Sequence, residues 1–204
     1  MQERRFVATE REAKGLHDGS ITAVVRVVKG YQIPEKTDSD DPKLRWMAVA
    51  QHHARYGFSV FGATQAECAA ELSAFGKHPY CGRLERLWVR EALHNEDGDW
   101  HYVGSPSPMW TDITDEWERK WISKGFVPAC QMPRKASRTL LEVVDVKALR
   151  VKEISTADIR AIGLTGQSLG LQWIDLWNSI NEKRGHGWDA NEYVWFAEVK
   201  RVEE

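Results

Sequence analysis

Runs of apolar and polar residues divide the chain into segments with the periodicity of helices and strands. Residues 9–18 are rich in helix-forming residues and are followed by Gly19, a residue that commonly ends helices. Residues 21–28 and 139–146 are rich in Val, Leu and Thr and predict strands. Residues 193–200 are apolar on both faces for most of their length, which predicts a strand in the centre of a sheet.

The segment at about residues 43–77 predicts a helical insertion. Residues 44–56 have a weakly amphipathic pattern that favours a helix. Thr64 and Glu67 have the spacing of a capping box, and we expect an alanine-rich helix to follow and to stop at Gly76. The chain is therefore predicted to form a single domain over residues 1–204 with this insertion.

A β-hairpin is predicted in the middle of the chain. Two runs of apolar residues, 87–93 and 100–103, lie on either side of the dipeptide Asp97-Gly98. This dipeptide favours the tight turns that join antiparallel strands. We therefore expect the two runs to pair.

Three further helices are predicted after the hairpin. Residues 115–124 form a short helix that carries Trp117 and Trp121 one turn apart. Ser155 begins a second helix, with Asp158 at capping-box spacing. The third helix covers residues 171–180 and has an apolar face made of four residues, Trp173, Ile174, Trp177 and Ile180.

The composition indicates a globular protein without a general affinity for polyanions. The chain has 204 residues, of which 42% are hydrophobic and 28% are charged, and its net charge is -2. A nucleic-acid site would therefore have to be a local patch. The chain contains ten tryptophans. Because large rings are rarely all buried, some of them are expected to line a groove, although packing in the core is the simpler use.

The sequence predicts a soluble protein of the bacterial cytoplasm. It contains no transmembrane run, signal peptide or lipidation motif, so no membrane partner is expected. Three cysteines at irregular spacing argue against a disulfide framework. The motif His78-Pro-Tyr-Cys81 offers one pair of metal ligands, whereas structural zinc usually needs two pairs. No metal and no cofactor are therefore predicted.

The segment Met132-Pro-Arg-Lys-Ala-Ser-Arg138 is the strongest candidate for a binding site. It brings three cations and one hydroxyl next to a half-buried strand, where they could bind a phosphate or a nucleotide. One alternative is that its arginines are simply solvated. Another is that they form ion pairs with Glu91, Glu142 or Asp145.

Several of these segments together resemble the phage and prophage branch of the ASCH domain family, in the PUA-like superfamily. The blocks Met132-Pro-Arg-Lys-Ala-Ser-Arg138 and Trp188-Asp-Ala-Asn191 are specific to this resemblance. Weaker matches follow the same order along the chain: Gly19 with Thr22 and Arg26, Pro79-Tyr80, Arg86-Leu-Trp-Val-Arg-Glu91, Leu141-Glu-Val-Val-Asp-Val146, Ile154-Ser155, Leu176-Trp-Asn-Ser-Ile180 and Val194-Trp195. The resemblance implies an α+β fold, a small mixed β-barrel flanked by helices. It also implies a cleft between the barrel and the helices, which in relatives holds RNA, a nucleoside or a modified base.

The resemblance also implies that this chain has lost the catalytic residues of some relatives. Those relatives are amidohydrolases that act on acetylated cytidine with a lysine, a threonine and a glutamate. When Gly19 and Arg26 are placed on the family motif, Ile21 stands at the lysine and Val24 at the threonine, and Ile162 stands at the glutamate. These side chains cannot transfer a proton or attack a carbonyl. No catalytic residue is therefore predicted.

Three functions are compatible with the sequence. The first is a non-catalytic module that recognises RNA, single-stranded DNA or a modified nucleobase in an Arg- and Trp-lined cleft. The second is a factor that binds a host or virion protein through its inserted helix and exposed aromatic residues. The third is a residual amidohydrolase or nuclease. For the first function, the predicted nucleic-acid-binding residues are Arg26, Lys29, Arg86, Arg90, Arg134, Lys135, Ser137 and Arg138, and the predicted cleft residues are Thr22, Trp88, Trp188 and Trp195.

Overall fold

The computed structural model describes residues 3–51, 55, 57–76, 86–105, 116 and 120–202. Within these residues, four α-helices have both ends defined. They are α1 Glu10–Asp18, α2 Gln65–Phe75, α3 Thr156–Ala161 and α4 Leu169–Asn181. The strands are β1 Glu3–Val7, β2 Ala23–Val27, β3 Glu35–Lys36, β4 Trp46–Gln51, β5 Phe58–Gly62, β6 Arg86–Arg90, β7 Leu93–Glu96, β8 Asp99–Tyr102, β9 Phe126–Val127, β10 Leu140–Arg150 and β11 Tyr193–Arg201.

The strands form three sheets, and the α+β class predicted from the sequence is confirmed. The main sheet has five strands in the order β1-β6-β10-β11-β2, with β1 and β6 parallel and the other neighbours antiparallel. The two smaller sheets have the orders β3-β4-β5 and β8-β7-β9. Among the described strands no sheet closes into a barrel, so β1 and β2 are the two edges of the main sheet.

Each sheet contributes to a hydrophobic cluster. One face of the main sheet packs on α1 and α2, with Leu72 and Trp195 fully buried. The opposite face packs on α3 and α4 through Trp173, Trp177 and Phe196. The third cluster lies between the β8-β7-β9 sheet and the loop before β10, and contains Leu93, Trp100, Tyr102, Trp121, Val127, Met132 and Ala136. Strand β11 contributes to both faces of the main sheet, which confirms that residues 193–200 form a central strand.

The predicted helix ends are confirmed where a cap defines them. The Thr9 side chain accepts a hydrogen bond from the backbone N–H of Glu12, and the Glu12 carboxylate accepts one from the N–H of Thr9, which completes a capping box. Gly19 ends α1 with a φ of 81°. Ser155 caps α3 in the same way, and Thr64 caps α2. These local signals need no tertiary context.

Two predictions about secondary structure are wrong. Residues 46–51 form strand β4 instead of part of a helix over 44–56, because β4 pairs with both β3 and β5 and its burial alternates along the strand.

The hairpin around Asp97-Gly98 is confirmed, with a φ of 53° at Asp97 and 96° at Gly98. Its strands, however, are β7 and β8, because the apolar run 87–93 is divided between β6 and β7. Trp117 lies outside the described residues.

No helix in the described part of the chain is long and apolar enough to cross a bilayer.

A glycine in α1 determines how closely this helix approaches the start of β2. A Cβ atom added at Gly15 would lie 2.4 Å from Cγ1 of Ile21 and 2.6 Å from its Cδ1. We expect Gly15→Ala to destabilise the protein by about 1 kcal/mol net, because overpacking costs about 1–3 kcal/mol and exceeds the gain of about 1 kcal/mol in helix propensity.

Gly170 in α4 provides the matched control, because a Cβ atom there would meet no other atom within 4 Å. We expect Gly170→Ala to stabilise the protein by about 0.5 kcal/mol. Thermal and urea unfolding of both variants measure the difference. A Gly15→Ala variant as stable as the wild type would contradict the close packing of α1 on Ile21.

Candidate ligand-binding site

The loop before β10, predicted as the binding site, is docked tightly on the rest of the protein. Met132 is fully buried, and its Sδ accepts a hydrogen bond from the backbone N–H of Glu91. The Ser137 hydroxyl donates to the carbonyl of Val89 at 2.8 Å. The Tyr102 hydroxyl donates to the carbonyl of Ala136 at 2.9 Å, and burial raises the pKa of Tyr102 to about 12. The loop therefore joins β6, β8 and β10.

Arg138 at the end of this loop forms a buried ion pair. Its Nε and Nη2 atoms donate to the two carboxylate oxygens of Glu91 at 3.0 and 2.8 Å, and its Nη1 donates to Ser105. The Arg138 and Glu91 side chains are only 15% and 2% exposed. The guanidinium also lies over the ring of Tyr102, 3.9 Å from its centroid. The alternative of an ion pair with Glu91 is thus confirmed, and this arginine is committed to a partner inside the protein.

The other cations of the predicted patch also have partners within the chain. Arg134 binds both carboxylate oxygens of Glu3, and this hydrogen bonding lowers the pKa of Glu3. Arg86 and Arg90 are half-buried on β6: Arg86 stands opposite Glu3 in the β1–β6 ladder, and Arg90 donates to the carbonyl of Cys130 and lies over the Trp88 ring. Lys29 and Lys135 are exposed, and the Lys29 ammonium lies 6.0 Å from the centre of the Tyr31 ring.

The predicted cleft residues do not come together. Trp195 is fully buried in the core beneath α2, so its ring cannot line an open cleft. Thr22 is exposed at the start of β2, and Trp88 is half-buried on β6. Trp188 packs at the border of the α3–α4 cluster, with Lys152 5.7 Å from its ring centre.

A cavity of about 700 Å³ lies elsewhere, along the outer edge of β2. Its walls come from β2, the end of β1, the first turn of α1, the end of α3 and one side of α4. Most of its lining is apolar, and the lining residues are Val7, Ala8, Thr9, Arg11, Glu12, Ile21, Ala23, Val24, Val25, Arg26, Val27, Ile162, Trp173, Leu176, Trp177, Ile180, Asn181, Arg184 and His186. Of the predicted binding residues, Arg26 is the one present among these described lining residues.

The main chain of β2 presents hydrogen-bonding groups to this cavity. The N–H of Val28 donates to the carbonyl of Tyr193, and the carbonyl of Thr22 accepts from Val199, so alternate residues of β2 face β11. The main-chain groups of Ala23, Val25 and Val27 therefore point away from β11, towards the open edge.

Arg26 spans part of the gap between the two edges of the main sheet. Its Nη1 and Nη2 atoms donate to the Glu12 carboxylate at 2.5 and 2.9 Å. Nη1 also donates to the carbonyl of Val25 at 2.8 Å, and Nη2 donates to the carbonyl of Val7 at 3.2 Å. Its guanidinium carbon lies 4.8 Å from the centre of the Phe6 ring. Because Glu12 is also part of the α1 capping box, the helix cap positions the carboxylate that holds Arg26 across the gap.

The three positions at which the resemblance places catalytic residues all lie on the cavity wall. Ile21, Val24 and Ile162 are buried, and each lines the cavity. Arg11 lies beside them and donates from Nη2 to the carbonyl of Ile162 at 2.6 Å. Partial burial of this guanidinium lowers its pKa. The wall at this point therefore consists of apolar side chains and one cation.

Polar groups of the opposite wall come from α4 and the turn that follows it. Asn181 donates from Nδ2 to the carbonyl of Trp177, and the amide oxygen of Asn181 has no partner among the described residues. His186 contacts Glu192 through Nδ1 at 3.1 Å. Arg184 is exposed and lines the cavity mouth.

The two possible metal ligands of the sequence motif, His78 and Cys81, lie outside the described residues. Among the residues that the structure does describe, no three His, Cys, Asp or Glu side chains are arranged to hold a metal ion. Cys68 is fully buried, and burial raises the pKa of its thiol to about 11.

No protein-family model, curated protein or solved structure matches this chain. The fold and the site together define a mixed α+β protein with an apolar cavity along an open strand edge.

The two loop arginines differ in burial, so their removal should have different effects on stability. We expect Arg138→Ala to lower the free energy of unfolding by about 3–5 kcal/mol, because the Glu91 carboxylate would remain buried without its partner. Arg134→Ala breaks an exposed pair with Glu3 and should cost about 1 kcal/mol or less. Urea denaturation measures both values.

The double variant Arg138→Met/Glu91→Leu is the control for this comparison. It removes both charges while keeping apolar volume, so we expect it to recover most of the stability lost in Arg138→Ala. Equal and small losses in the two single variants would show that Glu91 becomes hydrated without cost and would contradict the structural role of the pair.

Proposed function

We propose that this protein is a non-catalytic PUA-like binding module of phage or prophage origin, related to the ASCH family. In this proposal the cavity along β2 binds one nucleobase, either free or exposed by single-stranded RNA or DNA. The open form of the barrel that the resemblance implies would have its gap between β1 and β2, where Arg26 reaches the carbonyl of Val7.

One observation carries this proposal: the open edge of β2 lies between apolar walls in a cavity of about 700 Å³. A nucleobase has two apolar faces and an edge of alternating donors and acceptors. The outward main-chain groups of Ala23 and Val27 and the N–H of Val25 can pair with such an edge, whereas the Val25 carbonyl is bound by Arg26. On the α4 side the half-buried Leu176 and the exposed Ile180 line the cavity together with the buried Trp173 and Trp177, and an apolar wall favours a flat ring.

The ion pairs favour recognition of a base over recognition of a long phosphate backbone. Arg26, Arg134 and Arg138 are each bound to a carboxylate, so binding a polyanion would first require these pairs to break. Few counterions would then be released on binding, and affinity should depend weakly on salt.

The apolar residues on the wall support a binding role without catalysis. Ile21, Val24 and Ile162 provide no proton donor, base or nucleophile where the reactive relatives have them. In addition, Glu12 lies in the cavity but is held by both Arg26 and the N–H of Thr9. A carboxylate in this arrangement serves to position Arg26.

Blocking the cavity tests the proposal directly. Ile180 is 40% exposed at the cavity and Leu171, on the same helix, is 65% exposed and does not line it. We expect Ile180→Trp to weaken nucleoside binding at least tenfold, because the larger ring occupies the space of the ligand, and Leu171→Trp to leave binding unchanged.

Calorimetric titration with the four ribonucleosides and N4-acetylcytidine, at about 50 and 200 mM salt, measures these affinities. We expect at least one nucleoside to bind, with an affinity that changes less than threefold between the two salt concentrations. If no nucleoside binds, or if Ile180→Trp binds as well as the wild type, the cavity is not a nucleobase site.

A second candidate function is a residual hydrolase, and the pair His186–Glu192 favours it. A carboxylate at Nδ1 of a cavity-lining histidine leaves Nε2 available to accept a proton from water. This candidate lacks a group in the place of the family lysine, where Ile21 stands.

Incubation with N4-acetylcytidine and with RNA distinguishes the two candidates. The binding module should give no product, and His186→Gln should retain nucleoside binding. Product formation by the wild type that is lost in His186→Gln would establish the hydrolase in place of the non-catalytic module.

A further inference from the structure

The charges around the cavity have an excess of cations. Its ionisable lining residues are Arg11, Glu12, Arg26, Arg184 and His186. Glu12 and Arg26 neutralise each other at 2.5 Å, and His186 is next to Glu192. Two cations remain, because Arg11 and Arg184 have no carboxylate within ion-pair distance among the described residues.

We propose that the ligand carries an anionic group and that Arg11 and Arg184 select a nucleoside 5′-monophosphate over the nucleoside. This inference rests on the proposed function and adds the chemical class of the ligand. The base would occupy the apolar part of the cavity against β2 and α4. The phosphate would contact the guanidinium groups, which form stronger hydrogen bonds to charged oxygens than to neutral ones.

The surroundings of the two arginines make an anion more suitable than a neutral group. Arg11 uses one N–H for the carbonyl of Ile162 and has four other donors. The neighbouring Glu12 carboxylate forms its ion pair with Arg26 and not with Arg11. Arg11 is exposed, and its guanidinium adjoins the apolar side chains of Ile21 and Ile162 on the cavity wall. Arg184 lies at the mouth, where a phosphate would remain partly hydrated. The size of the cavity is in the range that holds a mononucleotide.

The test compares two double variants that remove the same amount of charge. Arg11→Gln/Arg184→Gln removes both lining cations. Lys14→Gln/Lys183→Gln removes two exposed cations that lie on the same helix and in the same turn but do not line the cavity. Each variant and the wild type are titrated with the four ribonucleosides, their 5′-monophosphates and inorganic phosphate at one ionic strength.

We expect the wild type to bind a 5′-monophosphate about tenfold more tightly than the matching nucleoside. The ratio of monophosphate to nucleoside affinity should fall below twofold in Arg11→Gln/Arg184→Gln, whereas both this ratio and the nucleoside affinity should remain at their wild-type values in Lys14→Gln/Lys183→Gln. Equal wild-type affinity for nucleoside and monophosphate, or a preference that survives the loss of Arg11 and Arg184, would overturn the inference and leave base recognition intact. Failure of both ligands to bind would instead refute the proposed function, and with it this inference.

Discussion

The buried pair between Arg138 and Glu91 is the interaction on which the arrangement of the sheets depends. Glu91 follows β6 and Arg138 precedes β10, and these two strands are neighbours in the main sheet. The pair therefore lies where the main sheet meets the third hydrophobic cluster, which contains Leu93, Tyr102 and Met132. Tyr102 of β8 covers the guanidinium and binds the carbonyl of Ala136. One charge pair thus connects the main sheet to the β8-β7-β9 sheet. Such a pair stabilises the fold only when both partners are present, because either charge alone would be buried without compensation.

This use of Arg138 changes where a ligand is expected. The basic loop has the composition of an anion site, yet its buried Met132, its bound Ser137 and its paired arginines serve to dock the loop. The available volume lies instead beside β2, the edge strand of the main sheet next to β11. Main-chain groups and apolar side chains of β2 both face the cavity there. The segment Met132-Pro-Arg-Lys-Ala-Ser-Arg138, which resembles the ASCH family, therefore serves to stabilise the fold. The proposed ligand recognition is assigned to the cavity along β2 instead.

Local signals were sufficient to predict much of the fold, and long-range contacts account for what was missed. The caps of Thr64 and Ser155 depend on residues three positions apart, so their spacing in the sequence predicts them. The Thr9–Glu12 cap has the same spacing, and there only the helix formers and the final Gly19 were used for the prediction. Strand β4 contains residues with high helix propensity and becomes a strand only because it pairs on both sides. The cavity wall also depends on residues that are far apart in the chain and cannot be predicted from local sequence patterns. Arg11, for example, contacts the carbonyl of Ile162, 151 positions away. Of the predicted apolar face of α4, Trp173 and Trp177 are buried in the core, whereas Ile174 is half-buried and Ile180 is exposed at the cavity, a space that the sequence pattern does not indicate.

The open edge of β2 explains why a ligand is expected in this cavity at all. Proteins usually cover or interrupt an exposed strand edge, because unpaired main-chain groups attract other strands and are costly to bury without partners. Here Arg26 binds the carbonyl of Val25 and so covers one outward group of β2, while α1 and α4 stand on either side of the edge. The space between these walls, about 700 Å³, is in the size range of sites that bind small molecules. A site that satisfies main-chain groups through a bound ligand gains affinity without any catalytic residue, which agrees with the apolar character of Ile21, Val24 and Ile162.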